Sequence, residues 1–259
     1  YNEIHLGFKG LNDCCTFENG DVVLIAGNIS MGKTAFALDM ILKSISSGKH
    51  KILFVSLEMA TSQVIARLIS NMARIELYKL KKKNRKFLTD EEWGKIGLVQ
   101  SKIINNLDIL DSSNTDINFI SQKIKEMDKI NNYDYIVIDY LQLLRAEGQN
   151  RTQQVTNASL KVKQLARELQ KTIVALAQLN RDNVKRADKK PELTDLKDSS
   201  QLEQDCSIGI LLHSDDYHDK ENKANDIIKL DIYIDKNRTG KLSMFNCEYN
   251  KKFQAFKEI

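Results

Sequence analysis

The residues best suited to chemistry lie between Gly27 and Thr34, where the chain reads Gly-Asn-Ile-Ser-Met-Gly-Lys-Thr. This stretch matches the pattern G-x-x-x-x-G-K-[ST], in which a curled backbone turns successive N–H groups toward a phosphate. An apolar run at 22–26 precedes it and a helical pattern follows, so a helix N-terminus would add partial positive charge. The stretch is therefore a predicted phosphate loop. Its predicted cofactor-binding residues are Gly27, Ser30, Met31, Gly32, Lys33 and Thr34.

The chemistry expected of such a loop is the binding and cleavage of ATP, or of another nucleoside triphosphate, with Mg²⁺. Lys33 would bridge the β- and γ-phosphates, which is a catalytic role, and the Thr34 hydroxyl would ligate Mg²⁺. Asp139 closes the apolar run at 135–139. Because ligands bind at the carboxyl ends of parallel strands, Asp139 is expected to complete the metal site. The alternative for Asp139 is a carboxylate that caps a turn.

Two further polar residues follow apolar runs. Glu58 comes directly after 52–57, where a carboxylate could polarise the attacking water. Taken alone, a glutamate at a strand end is more often a surface residue than a base. Gln178 follows 173–177, and its amide could either sense the γ-phosphate or make a turn hydrogen bond. The residues by themselves leave these alternatives open.

A sheet is needed to bring these side chains together, and apolar, β-branched runs recur with helical patterns between them. Several runs are apolar without alternation, which is typical of strands covered on both faces. Strands that alternate with helices predict an α/β fold with a mostly parallel central sheet flanked by helices. The last two runs have no helix between them, so antiparallel edge strands are expected at the C-terminus. The predicted strands are 22–26, 52–57, 107–110, 135–139, 173–177, 208–212, 228–234 and 243–248.

Capping residues predict where two of the helices begin. Asp116 is a good N-cap ahead of apolar residues at helical spacing. Thr89 and Glu92 have the spacing of a capping box before a second helix. An apolar stripe over 155–169 predicts a third, long helix.

The composition is ordinary for a globular protein, with 259 residues of which 42% are hydrophobic and 29% charged. The net charge of +4 permits an anionic partner without identifying one. No apolar run reaches about 18 residues, so a membrane-spanning helix is not expected. Four scattered cysteines indicate a reduced, intracellular protein without a zinc site. Since no Gly/Ser/Pro-rich linker divides the chain, 1–259 is predicted to be a single domain, and the first residue, Tyr1, suggests a trimmed fragment.

The order and spacing of the motifs are similar to those of DnaB-type replicative helicases over about residues 4 to 250. The resemblance implies a RecA-like P-loop motor domain that couples Mg-dependent ATP hydrolysis to translocation on single-stranded DNA and to unwinding at a replication fork. It implies a homo-hexameric ring, with primase and a helicase loader as further partners, in the cytoplasm of a bacterial or phage-infected cell. The segments that carry it are 30–38, 56–59, 138–143, 178–181, 202–205 and 236–240.

The same resemblance assigns roles in catalysis. It implies Glu58 as the catalytic base, Asp139 on the Mg²⁺ shell and Gln178 as the γ-phosphate sensor. Lys236 and Arg238 would act in trans on the nucleotide of a neighbouring subunit, where a guanidinium offsets charge that develops on the γ-phosphoryl group. Without the resemblance, both basic residues would be interpreted as a solvated strand end.

This chain differs from the family pattern in the loop that faces the central channel. Family members typically have Leu-Arg-Glu-Ser-Gly there, and this chain has Leu-Lys-Asp-Ser-Ser at 196–200. Lysine keeps the charge but loses the bidentate fork of arginine, and serine restricts the backbone more than glycine does. The basic cluster at 185–190 precedes this loop and is a further candidate for DNA contact. The predicted DNA-binding residues are Arg181, Lys185, Arg186, Lys197, Asp198 and Ser200.

Three other features are expected to matter less or to affect assembly. Asn28-Ile29 stands where the family has Arg-Pro, at positions not needed to cradle phosphate. The basic run at 79–86 could attract phosphates, but it lies between two predicted helices and a solvated turn is favoured. On the resemblance, this chain is expected to lack the family's N-terminal helical domain and linker helix, so the isolated chain is expected to be monomeric or weakly associated.

Two alternative functions remain. One is a RecA-like ATPase of another branch, such as a strand-exchange or clock-type protein, against which the Ser-Leu-Glu-Met and Asp-Tyr-Leu-Gln stretches argue. The other is a nucleotide-gated assembly or loading module that binds DNA or a partner without unwinding. The altered channel loop at 196–200 keeps this second alternative open.

Overall fold

The centre of the protein is one mixed β-sheet, seen in a computed structural model that describes residues 4, 6–46, 50–180, 190–196, 201–215 and 225–259. The strands within these residues are β1 (Val22–Gly27), β2 (Ile52–Ser56), β3 (Leu107–Asp111), β4 (Tyr135–Asp139), β5 (Thr172–Gln178), β6 (Ile208–His213), β7 (Ile227–Asn237), β8 (Ser243–Asn250) and β9 (Ala255–Glu258). Their spatial order is β3-β2-β4-β5-β1-β6-β7-β8-β9.

One short helix precedes β1, and the other described helices lie in the connections between the parallel strands. The helices are α1 (Lys9–Asn12), α2 (Lys33–Ser46), α3 (Thr61–Ala73), α4 (Leu77–Leu80), α5 (Asp90–Ile103), α6 (Ile117–Asn131), α7 (Arg151–Leu169) and α8 (Gln201–Asp205). Short 3₁₀ helices lie at Lys82–Phe87, Leu141–Leu143 and Leu193–Asp195. The basic run at 79–86 begins in the last two residues of α4 and continues into the mostly exposed connector to α5. None of the helices in the described ranges is long and apolar enough to cross a membrane.

The strand directions confirm the predicted fold class. The six strands β1 to β6 pair in parallel, in the spatial order given above. The strands β7, β8 and β9 continue the sheet beyond β6 as an antiparallel edge. Each predicted strand is present, with ends that lie within three residues of the predicted ones, and β9 is an additional strand that the sequence pattern did not predict. Because Ser56 is in register with Asp139, and Gly27 with Gln178, the carboxyl ends of four strands lie side by side at one end of the sheet.

Apolar packing covers both faces of the sheet. Val23 and Ile25 of β1 face one core together with Phe36 of α2, and Leu24 faces the other core together with Val162 of α7. All six residues of β1 are buried, which accounts for its unbroken apolar sequence. The phosphate loop is therefore attached to a strand that hydrophobic burial holds from both sides.

The two predicted helix caps are confirmed. The Asp116 carboxylate accepts hydrogen bonds of 3.0 Å from the backbone N–H groups of Asn118 and Phe119 at the start of α6. Thr89 and Glu92 form the reciprocal pair of a capping box at the start of α5. Both helices thus begin where a side chain satisfies N–H groups that have no partner inside the helix.

Removing the cap of α6 tests this local control of helix position. Asp116→Ala should lower the free energy of unfolding by about 1 kcal/mol, because two backbone N–H groups lose their acceptor. Asp116→Asn keeps an oxygen acceptor and should unfold within about 0.5 kcal/mol of the parent protein. Urea denaturation measures both, and equal losses for the two variants would contradict the capping role.

Candidate nucleotide-binding site

The phosphate loop runs from the end of β1 to the start of α2. Ser30 and Gly32 have positive φ angles of 61° and 88°, and these left-handed residues curl the loop. The Lys33 ammonium donates hydrogen bonds of 2.9 Å to the carbonyl oxygens of Gly27 and Asn28. The Met31 side chain is fully buried in the core, so its predicted contribution to the loop is that of its backbone.

The metal ligands predicted from sequence lie in contact. The Thr34 hydroxyl donates a hydrogen bond of 2.8 Å to a carboxylate oxygen of Asp139. Thr34 belongs to the first turn of α2, and Asp139 is the last residue of β4, only 2% exposed. A hydroxyl and a buried carboxylate are oxygen donors of the kind that Mg²⁺ prefers, so the residues present fit this ion.

Burial shifts the protonation of both charged groups at this site. Burial raises the pKa of the Asp139 carboxyl to about 6, while its hydrogen bond from Thr34 acts in the opposite direction. Burial also lowers the pKa of the Lys33 ammonium to about 8, against the attraction of the Asp139 and Glu58 carboxylates. Each charge is disfavoured without its neighbours, so this environment favours a cation beside Asp139 and an anion beside Lys33.

Glu58 lies in a tight loop directly after β2. The buried Ser56 hydroxyl donates to the Met59 carbonyl oxygen at 2.6 Å and accepts from the Met59 N–H at 3.2 Å. The Leu57 N–H donates to the Asp139 carbonyl oxygen at 2.9 Å, which ties this loop to the end of β4. The exposed Glu58 side chain consequently lines the same cavity as Asp139.

A cavity of about 590 Å³ joins these residues. Gln178, at the end of β5, lines it together with Glu58 and Asp139, so the structure brings together the phosphate loop and all three predicted strand-end residues. The cavity also contains residues that sequence reasoning missed. These are Ile29, Ala35, Met59, Arg67, Tyr140, Tyr249, Lys251 and Gln254.

Arg67 is the one missed residue with a usable local signal, since it is a cation on the helix that directly follows Glu58. Its guanidinium donates to the Gln254 side-chain oxygen, and its charge opposes in part the rise that burial causes in the pKa of Asp139. Asn71, one helical turn further along α3, donates to the Gln254 carbonyl oxygen at 2.9 Å. The turn between β8 and β9 is thereby attached to α3 beside the cavity.

The β8–β9 hairpin packs directly on the phosphate loop. The Tyr249 and Phe256 rings stack with centroids 4.4 Å apart, and Phe256 meets Phe36 of α2 edge-on at 5.2 Å. A Cβ placed on Gly32 would lie 3.1 Å from the Tyr249 ring. Glycine at this position therefore allows both the positive φ angle and the close approach of the aromatic pair.

Lys236 and Arg238 lie beside the amino-terminal ends of the parallel strands, whereas the phosphate loop lies at the carboxyl ends. Their side chains donate to the carbonyl oxygens of Glu203 and Gln204 respectively. Asn237 is opposite Ile208 of β6, and Ile208 is in register with Val23 at the start of β1. Four residues of strand, about 13 Å, separate Val23 from Gly27. Within one chain the two basic residues do not reach the cavity.

The predicted DNA-binding residues Arg181, Lys185, Arg186, Lys197, Asp198 and Ser200 lie outside the described residues. The described residues that flank them are adjacent. Leu179 and Leu196 form a β-bridge, and the Asn180 N–H donates to the Asp195 carbonyl oxygen at 2.8 Å. The chain thus enters both segments from neighbouring points close to Gln178.

Comparison with known proteins gives consistent matches over nearly the whole chain. The sequence profile of the DnaB-like helicase C terminal domain matches residues 3–258. The chain is 33% identical over 244 residues to the replicative DNA helicase DnaC of Bacillus subtilis, covering 93% of this chain and 53% of that protein. It is 32% identical over 258 residues to the replicative DNA helicase DnaB of Geobacillus stearothermophilus, covering 98% and 56%. The chain thus spans about half the length of these relatives.

Solved structures agree with the sequence matches. One solved ATPase domain superposes with a TM-score of 0.88 at 35% identity, covering 99% of this chain and 91% of that one. A DnaB-like replicative helicase, described with its interactions with primase, gives 0.87 at 36% identity and covers 98% and 61%. A KaiC-like protein, PH0186 from Pyrococcus horikoshii OT3, gives 0.69 at 16% identity over 100% and 99% of the two chains, which shows a shared fold only.

Substitution of Gly32 tests the packing of the hairpin on the phosphate loop. Gly32→Ala should lower the free energy of unfolding by about 1–2 kcal/mol, because a Cβ is strained at this φ angle and crowds Tyr249. Gly94→Ala is the matched control, since Gly94 lies in α5 with no atom within 4 Å of an added Cβ. That variant should gain about 0.5–1 kcal/mol. Chemical denaturation that moved both variants in the same direction would contradict this account.

Proposed function

Because this chain belongs to the DnaB-like helicase C-terminal domain family, we propose that it is the ATP-hydrolysing motor of a replicative DNA helicase. In this proposal, residues 1–259 form a single domain that couples hydrolysis to movement along single-stranded DNA and to duplex unwinding. The observation that carries the proposal is the contact between Thr34 and Asp139, with Glu58 lining the same cavity. A phosphate loop, a buried metal-binding carboxylate and a water-activating carboxylate together are what triphosphate hydrolysis requires.

The phosphate loop would bind the triphosphate of ATP. Lys33 exchanges its hydrogen bonds to the Gly27 and Asn28 carbonyls for the β- and γ-phosphate oxygens. Thr34 and Asp139 would hold Mg²⁺, which neutralises charge on the phosphates when it is bound. The curled backbone around Ser30 and Gly32 presents N–H groups to the same oxygens.

Hydrolysis would use the residues at the neighbouring strand ends. Glu58 accepts a proton from the attacking water as the water oxygen bonds to the γ-phosphorus and the bond to the β-phosphate oxygen breaks. Gln178 orients the γ-phosphate through its side-chain amide. Arg67 supplies positive charge on the same side of the cavity, where its guanidinium already influences Asp139.

Lys236 and Arg238 would complete the site of an adjacent subunit. They lie beside the amino-terminal ends of the strands, away from the chain's own phosphate loop at the carboxyl ends. This placement supports action in trans over action within one chain. A site at one end of the strands that is completed by residues at the other end in the next copy is a head-to-tail contact. Such contacts form a ring when the rotation between successive copies closes. The proposed assembly is a homo-hexamer of the full-length protein.

Single-stranded DNA is the proposed track, contacted by Arg181, Lys185, Arg186, Lys197, Asp198 and Ser200. Their supporting observation is that the chain enters both segments beside Gln178, so a change at the γ-phosphate has a short route to them. The relative described with primase supports primase as a partner of the full-length protein, and a helicase loader is a further proposed partner. Since the helicase relatives named above come from bacteria, the cytoplasm of a bacterial or phage-infected cell is the proposed location.

Loss of the phosphate-loop lysine tests the hydrolytic function. Lys33→Ala should lower ATP turnover at least about a hundredfold, because the triphosphate loses its main cationic contact. Single-stranded DNA should stimulate turnover of the parent protein. Lys95→Ala removes an exposed lysine on α5 and should hydrolyse ATP like the parent. A parent that hydrolyses ATP without any response to DNA would favour the nucleotide-gated loading module over the motor.

Mixing two inactive variants tests the action of Arg238 in trans. Arg238→Ala should bind nucleotide normally but lose about a thousandfold in turnover, since the γ-phosphoryl charge lacks its partner. When it is assembled in equal amounts with Lys33→Ala, about one quarter of the interfaces should combine an intact phosphate loop with an intact Arg238. ATPase assays should then recover up to that fraction of parent activity. Absence of recovery in assembled mixtures would refute the trans contact.

A further inference from the structure

Gln142 lies where the β4–β5 ladder has ended. These strands pair in parallel only as far as Ile138 and Ala175. Gln178 is three residues further along β5 and pairs with β1 through Gly27, so its other side has passed the last residue pair of β4. A strand end with one open side can bend away from the sheet, and it is this end that carries the γ-phosphate sensor.

The side chain of Gln142 supplies the hydrogen bonds that the ladder lacks at this point. Its amide nitrogen donates to the Gln178 carbonyl oxygen at 3.0 Å, and its amide oxygen accepts from the Gln178 N–H at 3.1 Å. A glutamine amide offers one face with both a donor and an acceptor, as a peptide unit of a neighbouring strand does. Gln142 is only 4% exposed, so water competes little for either bond.

Gln142 is itself held in place by its surroundings. It lies in the 3₁₀ helix Leu141–Leu143. Leu141 of this helix and Leu144, the residue that follows it, are buried in the core. The Arg151 guanidinium, at the start of α7, donates to the Gln142 carbonyl oxygen. Gln142 also follows Asp139 by three residues, so the segment that ends in the metal-binding carboxylate continues directly into the clamp on Gln178.

We propose that Gln142 is a positioning residue for nucleotide hydrolysis, fixing Gln178 relative to Asp139 through its two hydrogen bonds to the Gln178 backbone. This inference rests on the hydrolytic function proposed above. Gln142 is not among the described residues that line the cavity, so its influence on the nucleotide passes through Gln178. No other side-chain type of this length offers both a neutral donor and a neutral acceptor, so a methionine of similar size would lose both bonds.

A double-mutant cycle in the full-length protein tests the proposal. Gln142→Met should lower kcat for ATP about tenfold to a hundredfold, since the sensor is misplaced rather than removed. The KM for ATP and the Kd for a fluorescent ATP analogue should stay within about twofold. On a Gln178→Ala background, Gln142→Met should change kcat by less than about twofold, because the group that it positions is already gone. Gln142→Leu repeats the test if the methionine variant unfolds at the assay temperature.

Thr172→Val is the matched control for the loss of a buried hydrogen bond on the same strand. Thr172 begins β5 at its other end, is fully buried, and donates from its hydroxyl to the Glu18 carbonyl oxygen at 2.9 Å. This variant should lower the Tm as Gln142→Met does but leave kcat within about twofold of the parent.

The outcomes separate this inference from the proposed function. A parent protein that does not hydrolyse ATP would overturn the proposed function and the role of Gln142 with it. An active parent whose Gln142→Met variant keeps its kcat would overturn the positioning role alone. The same conclusion would follow if Gln142→Met reduced kcat as strongly on the Gln178→Ala background as on the parent.

Discussion

A hydrogen bond of 2.8 Å from the Thr34 hydroxyl to the Asp139 carboxylate joins the two parts of the nucleotide site. Thr34 lies in the first turn of α2, directly after the loop that follows β1, and Asp139 ends β4, with β5 lying between those two strands. The bond can form only because the carboxyl ends of three parallel strands lie side by side. Glu58 after β2 and Gln178 on β5 reach the cavity for the same reason. Hydrophobic packing on both faces of these strands therefore determines the geometry of the polar site.

Burial of Asp139 and Lys33 at the carboxyl ends of the strands also determines the electrostatics of the site. A low-dielectric surrounding disfavours an isolated charge, which is why the pKa of Asp139 is raised and that of Lys33 is lowered. The same surrounding strengthens attraction between opposite charges that are placed together. A bound Mg²⁺ and triphosphate would add a cation beside the carboxylate and an anion beside the ammonium. The proposed ligands are thus the ones that relieve the charge imbalance of the protein itself.

The second constraint is that the two ends of the parallel strands lie on opposite sides of the molecule. The nucleotide cavity lies at the carboxyl ends of the parallel strands, whereas Lys236 and Arg238 lie at the end of β7, which runs antiparallel to β6. One copy cannot bring these residues to its own phosphate loop without breaking the sheet. In the proposed ring, hydrolysis therefore depends on assembly, and the Gln142 clamp on Gln178 keeps the sensor in register while the neighbouring subunit completes the site.

The phosphate loop, the polar residues at the strand ends and the parallel α/β class could all be predicted from sequence, because each is encoded by a local pattern of glycines or apolar runs. The sequence also predicted eight of the nine described strands, but not β9, whose four residues pair with β8 only after a turn reverses the chain. No local pattern predicts that Tyr249 packs against Gly32, that Gln254 binds Arg67, or that Gln142 continues the ladder beside Gln178. These contacts join residues far apart in the chain or depend on where a ladder stops, and only the packed sheet defines those positions.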